Sequence, residues 1–387
     1  MENKKNLLLG QPVVIAQSEP LMQKNDNWGP YQFPEIERLG DGRLHATYHI
    51  RKDSALAYGK SKGHAVSSDE GVTWTPMEDS PENGGILLKN GDRFRIKTFP
   101  AFDLKEVDLP GEPDDLIVCY RLDFRLYKES RFPAKFNQWS FERLRAGETE
   151  WKVEHKDIEI PFATRCTVEG VFPHNMFWRM RLEPNGRIWA LTYPFTFTGV
   201  KPSRFIPWFC VSDDNGYTFK FLSSIPYEPD PTMDPLWEKR AGFGEPDVTF
   251  MPDGSVLCLI RTTDGHGIGP SYICHSYDGG ITWTKAEFFD DNGVWPGLLT
   301  LKNGVTLAVY GRPGLFLRVT RDASGKVWDD RVDIVPKGEY QHDTCSYADL
   351  VALDDNTAYL IYSDFNYPNK DGIPVKTILG MRIGAEK

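Results

Sequence analysis

Carboxylate, amide and aromatic residues recur in this sequence directly before apolar, strand-like runs. The five groups lie at residues 32–35, 175–178, 245–247, 295–297 and 346–349. Aromatic faces that stack on C–H surfaces, combined with polar groups that read hydroxyls, are typical of sugar sites. If the strands surround one axis, the groups converge on one shallow depression, with Trp178 and Trp295 as stacking surfaces. The alternative is that each group only satisfies the backbone of a turn.

Three histidines, His49, His174 and His342, also lie near the ends of strand-like runs. An imidazole beside a tyrosine and an arginine can abstract a proton next to a uronate carboxylate, as in a polysaccharide lyase or a histidine-dependent glycosidase. A single histidine at a strand end is more often structural. No cluster of histidine, cysteine and carboxylate residues has metal-ligand spacing, so the sequence predicts no metal and no cofactor.

Repeated hairpins predict the strands that would position these groups. An apolar run, a turn rich in proline, aspartate, asparagine and glycine, and a second apolar run recur with turns at residues 40–42, 183–186, 252–254, 302–304 and 354–356. Asp-Gly and Asn-Gly between alternating apolar residues are strong hairpin signals. A weaker turn at 110–114 precedes the apolar run 116–119 and fills the long interval after the first hairpin. Six hairpins at intervals of about 50 to 75 residues predict a six-bladed, all-β propeller.

A second repeat has the pattern Ser/Thr-x-Asp-x-Gly-x-Thr-Trp. Residues 67–74 and 276–283 match every fixed position, 212–219 has Phe219 in place of tryptophan, and 320–328 has one extra residue. The aspartate can accept hydrogen bonds from the turn backbone, the glycine supplies a positive φ, and the aromatic ring packs between strands. We therefore assign these turns a structural role and no catalytic one.

The two ends of the chain are strand-like, at residues 12–16 and 377–383. We expect the N-terminal strand to complete the last blade, because closure of the ring hides sheet edges. Six blades account for the whole length, so residues 1–387 are expected to form one propeller domain. A seventh blade within residues 120–170 is the structural alternative.

Composition excludes several classes of partner. The formal net charge of -10 argues against nucleic acid or an anionic membrane surface as the main partner, and no run of apolar residues is long enough for a membrane helix. The N-terminus has no targeting signal, and the six cysteines are scattered without a CxxC pair. This pattern is typical of buried thiols in a reducing compartment, so we expect a cytoplasmic protein. The expected partner is a carbohydrate, because of the aromatic and polar groups at the strand starts.

The hairpins and the aspartate pattern, known as the Asp box, make the chain similar to the sialidase (neuraminidase) superfamily over essentially its whole length. The fourth-blade pattern of that family, a glutamate before a strand, then a glycine turn and an arginine, resembles the segment from Glu245 to Arg261. The fifth-blade arginine is similar to Arg312, and the late Tyr-Ser-x-Leu motif resembles the sequence that begins at Tyr347. The acid/base aspartate of the family, in a loop before the first Asp box, falls on Asp53.

The resemblance implies retaining glycoside hydrolysis with a tyrosine nucleophile. A free phenol has a pKa near 10 and is a poor nucleophile at neutral pH, so Glu245 would take the proton as Tyr347 attacks the anomeric carbon. Asp53 would protonate the leaving oxygen and then activate water. The alternatives without a catalytic role are a core tyrosine at 347 and a solvated carboxylate at 245.

One departure separates this chain from the family pattern. The first arginine of the family lies in an Arg-Ile-Pro motif, where this sequence has Gln32 before Phe33 and Pro34. Loss of one arginine from a carboxylate clamp would cost about 1–3 kcal/mol of charged hydrogen bonding, unless Arg51 replaces it. Gln32 suits a neutral hydroxyl better than a carboxylate, so the alternatives to sialic acid are another sugar such as a uronic acid, an arabinose or a rhamnose unit.

The expected function is thus an exo-acting, sialidase-like glycosidase that cleaves a terminal sugar, either acidic or neutral. Tyr347, Glu245 and Asp53 are the expected catalytic residues. The expected substrate-binding residues are Arg261, Arg312, Gln32, Arg51, Trp178, Trp295 and His342. The alternatives are a lyase or histidine-dependent glycosidase on a similar propeller, and a carbohydrate-binding propeller without catalysis.

Overall fold

The computed structural model describes residues 6–20, 28–160, 162–263, 269–338 and 343–387. The regular structure of these residues is almost entirely β. The helical segments are single 3-10 turns at Ala55–Ala57, Leu104–Glu106, Glu129–Arg131, Ala134–Phe136 and Trp237–Lys239. Within the described ranges, no helix has the length and apolar character needed to span a membrane.

Antiparallel sheets of four or more strands follow one another along the chain, and we number them I to VI. Sheet I consists of Gln32–Arg38, Leu44–His49, Gly63–Ser67 and Thr75–Met77. Sheet II consists of Ile86–Leu87, Arg93–Ile96, Trp139–Leu144 and Lys152–Lys156. Sheet III consists of Arg179–Leu182, Ile188–Thr192, Trp208–Ser212 and Lys220–Ser224.

The remaining three sheets have four to six strands each. Sheet IV consists of Gly242–Phe250, Val256–Thr263, Ser271–Ser276 and Glu287–Asp290, extended by Phe195–Thr196 and Arg204–Phe205. Sheet V consists of Val294–Thr300, Thr306–Gly311, Leu315–Thr320 and Val332–Val335. Sheet VI consists of Ala348–Ala352, Thr357–Pro368 and Pro374–Ala385, joined by Val13–Gln17 and Leu7–Leu9.

The sheets are arranged as the blades of a β-propeller. The first strands of successive sheets lie side by side from III to VI, and the first strand of VI lies beside that of I. In sheet II it is the second strand, Arg93–Ile96, that lies beside the first strand of III. The N-terminal strand Val13–Gln17 pairs antiparallel with Pro374–Ala385, which confirms the prediction that it completes the last sheet. Leu7–Leu9 adds to the far end of the same C-terminal strand. These pairings leave fewer free sheet edges.

Apolar side chains fill five interfaces between neighbouring sheets, from II–III through to VI–I. At the II–III interface, for example, Phe141 stacks on Phe94 and on Phe219, with ring centroids 4.9 and 4.7 Å apart. Such stacks bury large apolar areas and hold the sheets at fixed angles. The core is therefore divided among these interfaces, and sheets III to VI are each positioned by both neighbours.

Five of the six predicted hairpin turns are confirmed, those at 40–42, 183–186, 252–254, 302–304 and 354–356. The sixth prediction, at 110–114, is wrong. Those residues lead into Asp115–Cys119, which pairs with Leu122–Lys128 in a separate three-stranded sheet completed by Thr164–Thr167. The hairpin of sheet II turns at residues 88–92 instead. Asn90-Gly91 in this turn is a hairpin signal that the prediction did not include, and Gly91 has a φ of 86°.

The region proposed for a seventh blade does not form a four-stranded sheet of its own in the described part of the chain. Residues 120–170 are divided between sheet II and the three-stranded sheet. A short ribbon of Phe102–Asp103 with Val171–Phe172 lies in the same region. These segments are insertions and connections that build loops around sheets I to III.

The complete copies of the aspartate pattern fold alike, and we call them the Asp turns. In the first, Asp69 accepts hydrogen bonds from Ser67 Oγ, Thr73 N and Thr73 Oγ1 at 2.8, 2.9 and 2.6 Å. Asp214 and Asp278 accept the equivalent bonds in the other two. Gly71 has a φ of 88°, and a Cβ there would lie 2.0 Å from the Tyr359 ring. The pattern therefore locks a turn against the neighbouring sheet.

Candidate functional site

The first strands of sheets I, IV and V contain the same irregularity near their start. Each has a β-bulge in which a non-glycine residue with left-handed backbone precedes a proline. The residues are Phe33, Glu245 and Trp295, with φ values of 53°, 52° and 44°. Such conformations cost about 1–3 kcal/mol each and re-aim side chains, which is why they concentrate at functional sites.

These three bulges place their side chains around Tyr347, which directly precedes the first strand of sheet VI. The Trp295 ring stacks on the Tyr347 ring with centroids 4.7 Å apart and planes 20° apart. The edge of Phe33 meets the same phenol ring at 4.6 Å. Tyr347 Oη donates to Glu245 Oε1 at 2.6 Å. Residues from four sheets thus converge on one phenol.

Both carboxylate oxygens of Glu245 are engaged. Oε1 accepts from Tyr347, and Oε2 accepts from Trp295 N at 2.7 Å and lies 2.9 Å from Arg261 Nε. Glu245 is only 5 % exposed, so these contacts act in a poorly hydrated region. Oε1, held by this arrangement against the phenol, is positioned to accept a proton from Tyr347.

The Tyr347 phenol does not ionise on its own at neutral pH. Burial, followed by the negative charge of Glu245, raises the pKa of Tyr347 well above its ordinary value, and Arg261 and Arg312 oppose that rise. Any nucleophilic attack by Tyr347 must therefore be coupled to proton transfer, and the short bond to Glu245 supplies the path.

Two arginines complete what we call the Tyr347 cluster, defined as Tyr347, Glu245, Arg261, Arg312 and Trp295. Arg261 Nη2 donates to Tyr120 Oη at 2.9 Å. Arg312 Nη2 donates to the Cys345 carbonyl at 2.7 Å, and its guanidinium lies 5.8 Å from the centre of the Tyr347 ring. The cluster is therefore cationic around a single buried carboxylate.

Asp53 lies within electrostatic range of this cluster. Although the residue is exposed, the surrounding protein desolvates its carboxyl, and the charges of Glu169 and Glu245 act in the same direction while Arg312 opposes them. Together they raise the pKa of Asp53 to about 6. A carboxyl with that pKa is partly protonated near neutral pH and can act as a general acid.

An aromatic wall lies beside the cluster. Trp178 meets Trp295 edge-on at 6.3 Å, and its other ring contacts are with Tyr58 at 5.5 Å and Tyr193 at 5.7 Å. Trp178 and Trp295 were both predicted as stacking residues, and the structure brings them together. Aromatic faces of this kind suit the C–H surfaces of a sugar.

The other predicted substrate-binding residues do not join the cluster. Gln32 is fully buried, and its side-chain oxygen accepts from Gly29 N at 3.0 Å. Arg51 is exposed, and its guanidinium donates to Ser61 Oγ at 3.3 Å. His342 lies outside the described residues.

The other two histidines have aromatic or basic neighbours and low pKa values. His49 meets the Phe33 ring at 4.8 Å, and burial, with the charge of Lys62, lowers its pKa to about 4. His174 stacks on Phe102 at 3.9 Å, and burial, with the charge of Arg165, lowers its pKa to about 4. Both imidazoles are therefore neutral at pH 7.

Sequence reasoning missed Tyr58, Tyr120, Tyr193 and Glu169. Tyr120 is the partner of Arg261, and Glu169 accepts from Ala55 N at 2.6 Å beside Asp53. Tyr58 and Tyr193 flank Trp178. These residues lie on loops or hairpin turns far apart in the chain, and no repeated motif includes them. In the structure, Tyr120 and Glu169 are distinguished by a left-handed backbone.

A metal site is not formed by the parts of the chain that the structure describes, where no three histidine, cysteine, aspartate or glutamate residues are arranged to hold an ion. The Tyr347 cluster itself supplies a phenol, a carboxylate and two guanidinium groups, and the Asp53 carboxyl lies within electrostatic range of it.

Comparisons with known proteins support the fold. Neither the family models nor the curated proteins gave a match to this sequence. Among solved structures, a Dyadobacter fermentans protein of unknown function is similar over 99 % of this chain and 100 % of its own, with a TM-score of 0.65 and 20 % identity. A Penicillium chrysogenum alpha-L-arabinanase complexed with arabinobiose covers 96 % of this chain and 98 % of its own, with a TM-score of 0.52 and 14 % identity. At these identities the likeness concerns the fold.

Proposed function

We propose that the protein is an exo-acting, retaining glycoside hydrolase in which Tyr347 and Glu245 form the nucleophile and Asp53 is the acid/base. The observation that carries the proposal is the 2.6 Å hydrogen bond from the Tyr347 phenol to the Glu245 carboxylate. It joins two residues about a hundred positions apart in the chain, at the meeting point of the strained bulges.

The proposed reaction proceeds through a covalent intermediate. Glu245 takes the phenol proton as Tyr347 Oη bonds to the anomeric carbon, and the glycosidic C–O bond breaks. Protonated Asp53 gives its proton to the leaving oxygen. In the second half, Asp53 takes a proton from water, the water oxygen bonds to the anomeric carbon, and the Tyr347 bond breaks as Glu245 returns the proton. Two inversions give net retention.

The cluster suits a terminal sugar with an acidic or strongly polar substituent. Arg312 lies beside the Tyr347 ring and Arg261 beside Glu245, so both can meet a carboxylate or hydroxyl near the anomeric centre. Because Gln32 is buried where the sialidase pattern has arginine, sialosides are one candidate among several. The arabinanase neighbour supports testing arabinofuranosides as well.

The test is a screen followed by covalent trapping. Aryl sialosides, α-L-arabinofuranosides, uronides and rhamnosides are assayed for release of the aryl alcohol. The fluorinated analogue of the best substrate is then incubated with the enzyme, and digested peptides are analysed by mass spectrometry. We expect the adduct on Tyr347 and no adduct in the Tyr347→Phe protein.

Three results would contradict the proposal. An adduct on a carboxylate would assign another nucleophile. Products that are unsaturated and absorb in the near ultraviolet would identify a lyase. Binding of sugars without turnover of any glycoside would indicate a non-catalytic propeller.

A further inference from the structure

The interface between sheets I and II differs from the other five because a cavity of about 790 Å³ occupies it. We call it the I–II cavity. Strands of sheet I line one side, and Arg93–Ile96 with its neighbours in sheet II lines the other. The first strand of sheet III, Arg179–Leu182, also contributes to the wall. Sheet II begins with the two-residue strand Ile86–Leu87, whereas the first strands of the other sheets have four to nine residues. The space left by this short strand forms part of the cavity.

The charge of the cavity wall is opposite to that of the protein. Nine lysine and arginine residues line it against four carboxylates, while the whole chain carries a net charge of -10. The lining histidines His49 and His64 have lowered pKa values through burial and nearby cations, so they add little charge at pH 7. Arg179 and Arg181 pair with the buried Asp247, which lies behind the wall, so the local excess is four positive charges. In an acidic protein this excess focuses a positive potential inside the cavity.

Several of these cations interact with neutral groups. Arg51 donates to the Ser61 hydroxyl, and Arg93 donates to the carbonyls of Gly84 and Gly85 at 3.3 and 3.0 Å. Two others compete for one acid, because Arg95 and Lys97 both pair with Glu142, at 2.8 and 2.7 Å. The wall thus has donors and charge that its own carboxylates do not neutralise. An anionic ligand would satisfy them.

The cavity is continuous with the surroundings of the Tyr347 cluster. Trp295 lines it and also stacks on Tyr347, and Trp178 and Tyr58 line it as well. Tyr58 lies close enough to Asp53 for that carboxylate to raise its pKa. A ligand in the cavity would therefore reach the proposed acid/base past an aromatic wall.

We propose that the I–II cavity binds the leaving portion of an anionic oligosaccharide, one that carries carboxylate or sulfate groups beyond the scissile bond. The role of the cavity as a leaving-group site rests on the proposed function of the Tyr347 cluster. The cavity would make the enzyme selective for acidic glycans through residues that take no part in the chemical step.

The test measures binding separately from turnover. Binding of three anionic hexasaccharides, an oligogalacturonate, an oligoguluronate and a chondroitin sulfate, is measured by calorimetry with the Tyr347→Phe protein. The neutral comparison is the carboxyl-reduced oligogalacturonate. We expect binding of at least one anionic hexasaccharide, weakened by added salt, and much weaker binding of the neutral one.

Two charge-matched variants locate the site. Lys60→Gln/Lys97→Gln removes two charges from the cavity wall and should weaken binding about tenfold or more. Lys220→Gln/Lys302→Gln removes two charges from exposed residues that do not line the cavity and should leave the affinity unchanged. Arg51→Gln is a further single cavity variant.

The proposal is overturned if none of the three anionic hexasaccharides binds, if the neutral one binds equally well, or if both double variants weaken binding equally. These outcomes are independent of the covalent trapping at Tyr347. Trapping without anionic binding would support the proposed glycosidase and contradict the proposed role of the cavity. Anionic binding without trapping would support an anion-binding cavity and contradict the proposed nucleophile.

Discussion

Asp278 in an Asp turn and Asp53 beside the Tyr347 cluster have opposite pKa shifts. Hydrogen bonds from the Thr282 side chain, the Thr282 backbone and Ser276 lower the pKa of Asp278 to about 2. Desolvation and the charges of Glu169 and Glu245 raise the pKa of Asp53 to about 6. The first carboxylate is stabilised by donors within four residues, and the second is destabilised by groups from distant parts of the chain.

The comparison extends to the tyrosines of the two regions. Tyr359 receives a hydrogen bond from Trp74 Nε1 and donates to the Gly71 carbonyl, so it holds an Asp turn against sheet VI. Tyr347 donates instead to an acidic group that can accept its proton. One region uses polar groups to fix a turn, and the other holds them in a state suited to proton transfer.

The largest expected effect comes from Tyr347→Phe. Loss of the proposed nucleophile should lower kcat about 10³-fold or more, because neither Glu245 nor water replaces the phenol at the anomeric carbon. The ring stack on Trp295 is kept, so the variant should fold, but Glu245 Oε1 loses its buried donor and the free energy of unfolding should fall by about 1–3 kcal/mol. A variant that retains wild-type kcat would contradict the assigned nucleophile.

Asp53→Ala should have a smaller effect that depends on the leaving group. With an unactivated sugar as leaving group, loss of the general acid should lower kcat/KM about 10²-fold or more. With a nitrophenyl leaving group, which needs little protonation, the loss should be smaller. Equal losses with both substrates would argue that Asp53 positions the loop rather than transferring a proton.

The pH profile tests the same residue in the wild-type enzyme. Asp53 must be protonated for the acid step, and its pKa is about 6. The value of kcat/KM should therefore fall as pH rises above about 6, towards tenfold per pH unit. The descending limb should be absent in Asp53→Ala with the nitrophenyl substrate, and its persistence there would assign the limb to another group.

Tyr359→Phe should have the smallest effect on activity and act on stability alone. It leaves the Gly71 carbonyl and the Trp74 N–H without this buried partner, at a cost of about 1–3 kcal/mol in the free energy of unfolding. Urea unfolding measures the loss, and kcat per folded molecule should stay at the wild-type value. A large drop in kcat would show that the two regions are coupled.

Much of the fold could be predicted because its signals are local. The turns at 40–42 and 252–254 are specified by Asp-Gly between alternating strands, and each Asp turn by eight consecutive residues. The hairpin of sheet II was missed because its first strand, Ile86–Leu87, is too short to show alternation. The blade number and the single domain stay predictions from the repeat.

The candidate site could be predicted only where a strand start carries a motif. Glu245, Arg261, Arg312 and Tyr347 were expected from a resemblance to the sialidase pattern, and the structure brings them together. Tyr120 and Glu169 follow no pattern, because they enter from loops whose positions depend on how sheets I to III pack.

The sequence by itself determined the strands, the hairpins and the Asp turns, since each depends on residues that are neighbours along the chain. Only the tertiary structure decided which side chains meet: that Glu245 lies 2.6 Å from Tyr347, that Asp53 is desolvated beside Glu169, and that sheets I and II enclose a cationic cavity. The physical reason is that desolvation and long-range charge depend on the whole packed surroundings of a group, whereas a turn depends on backbone geometry and a few local donors.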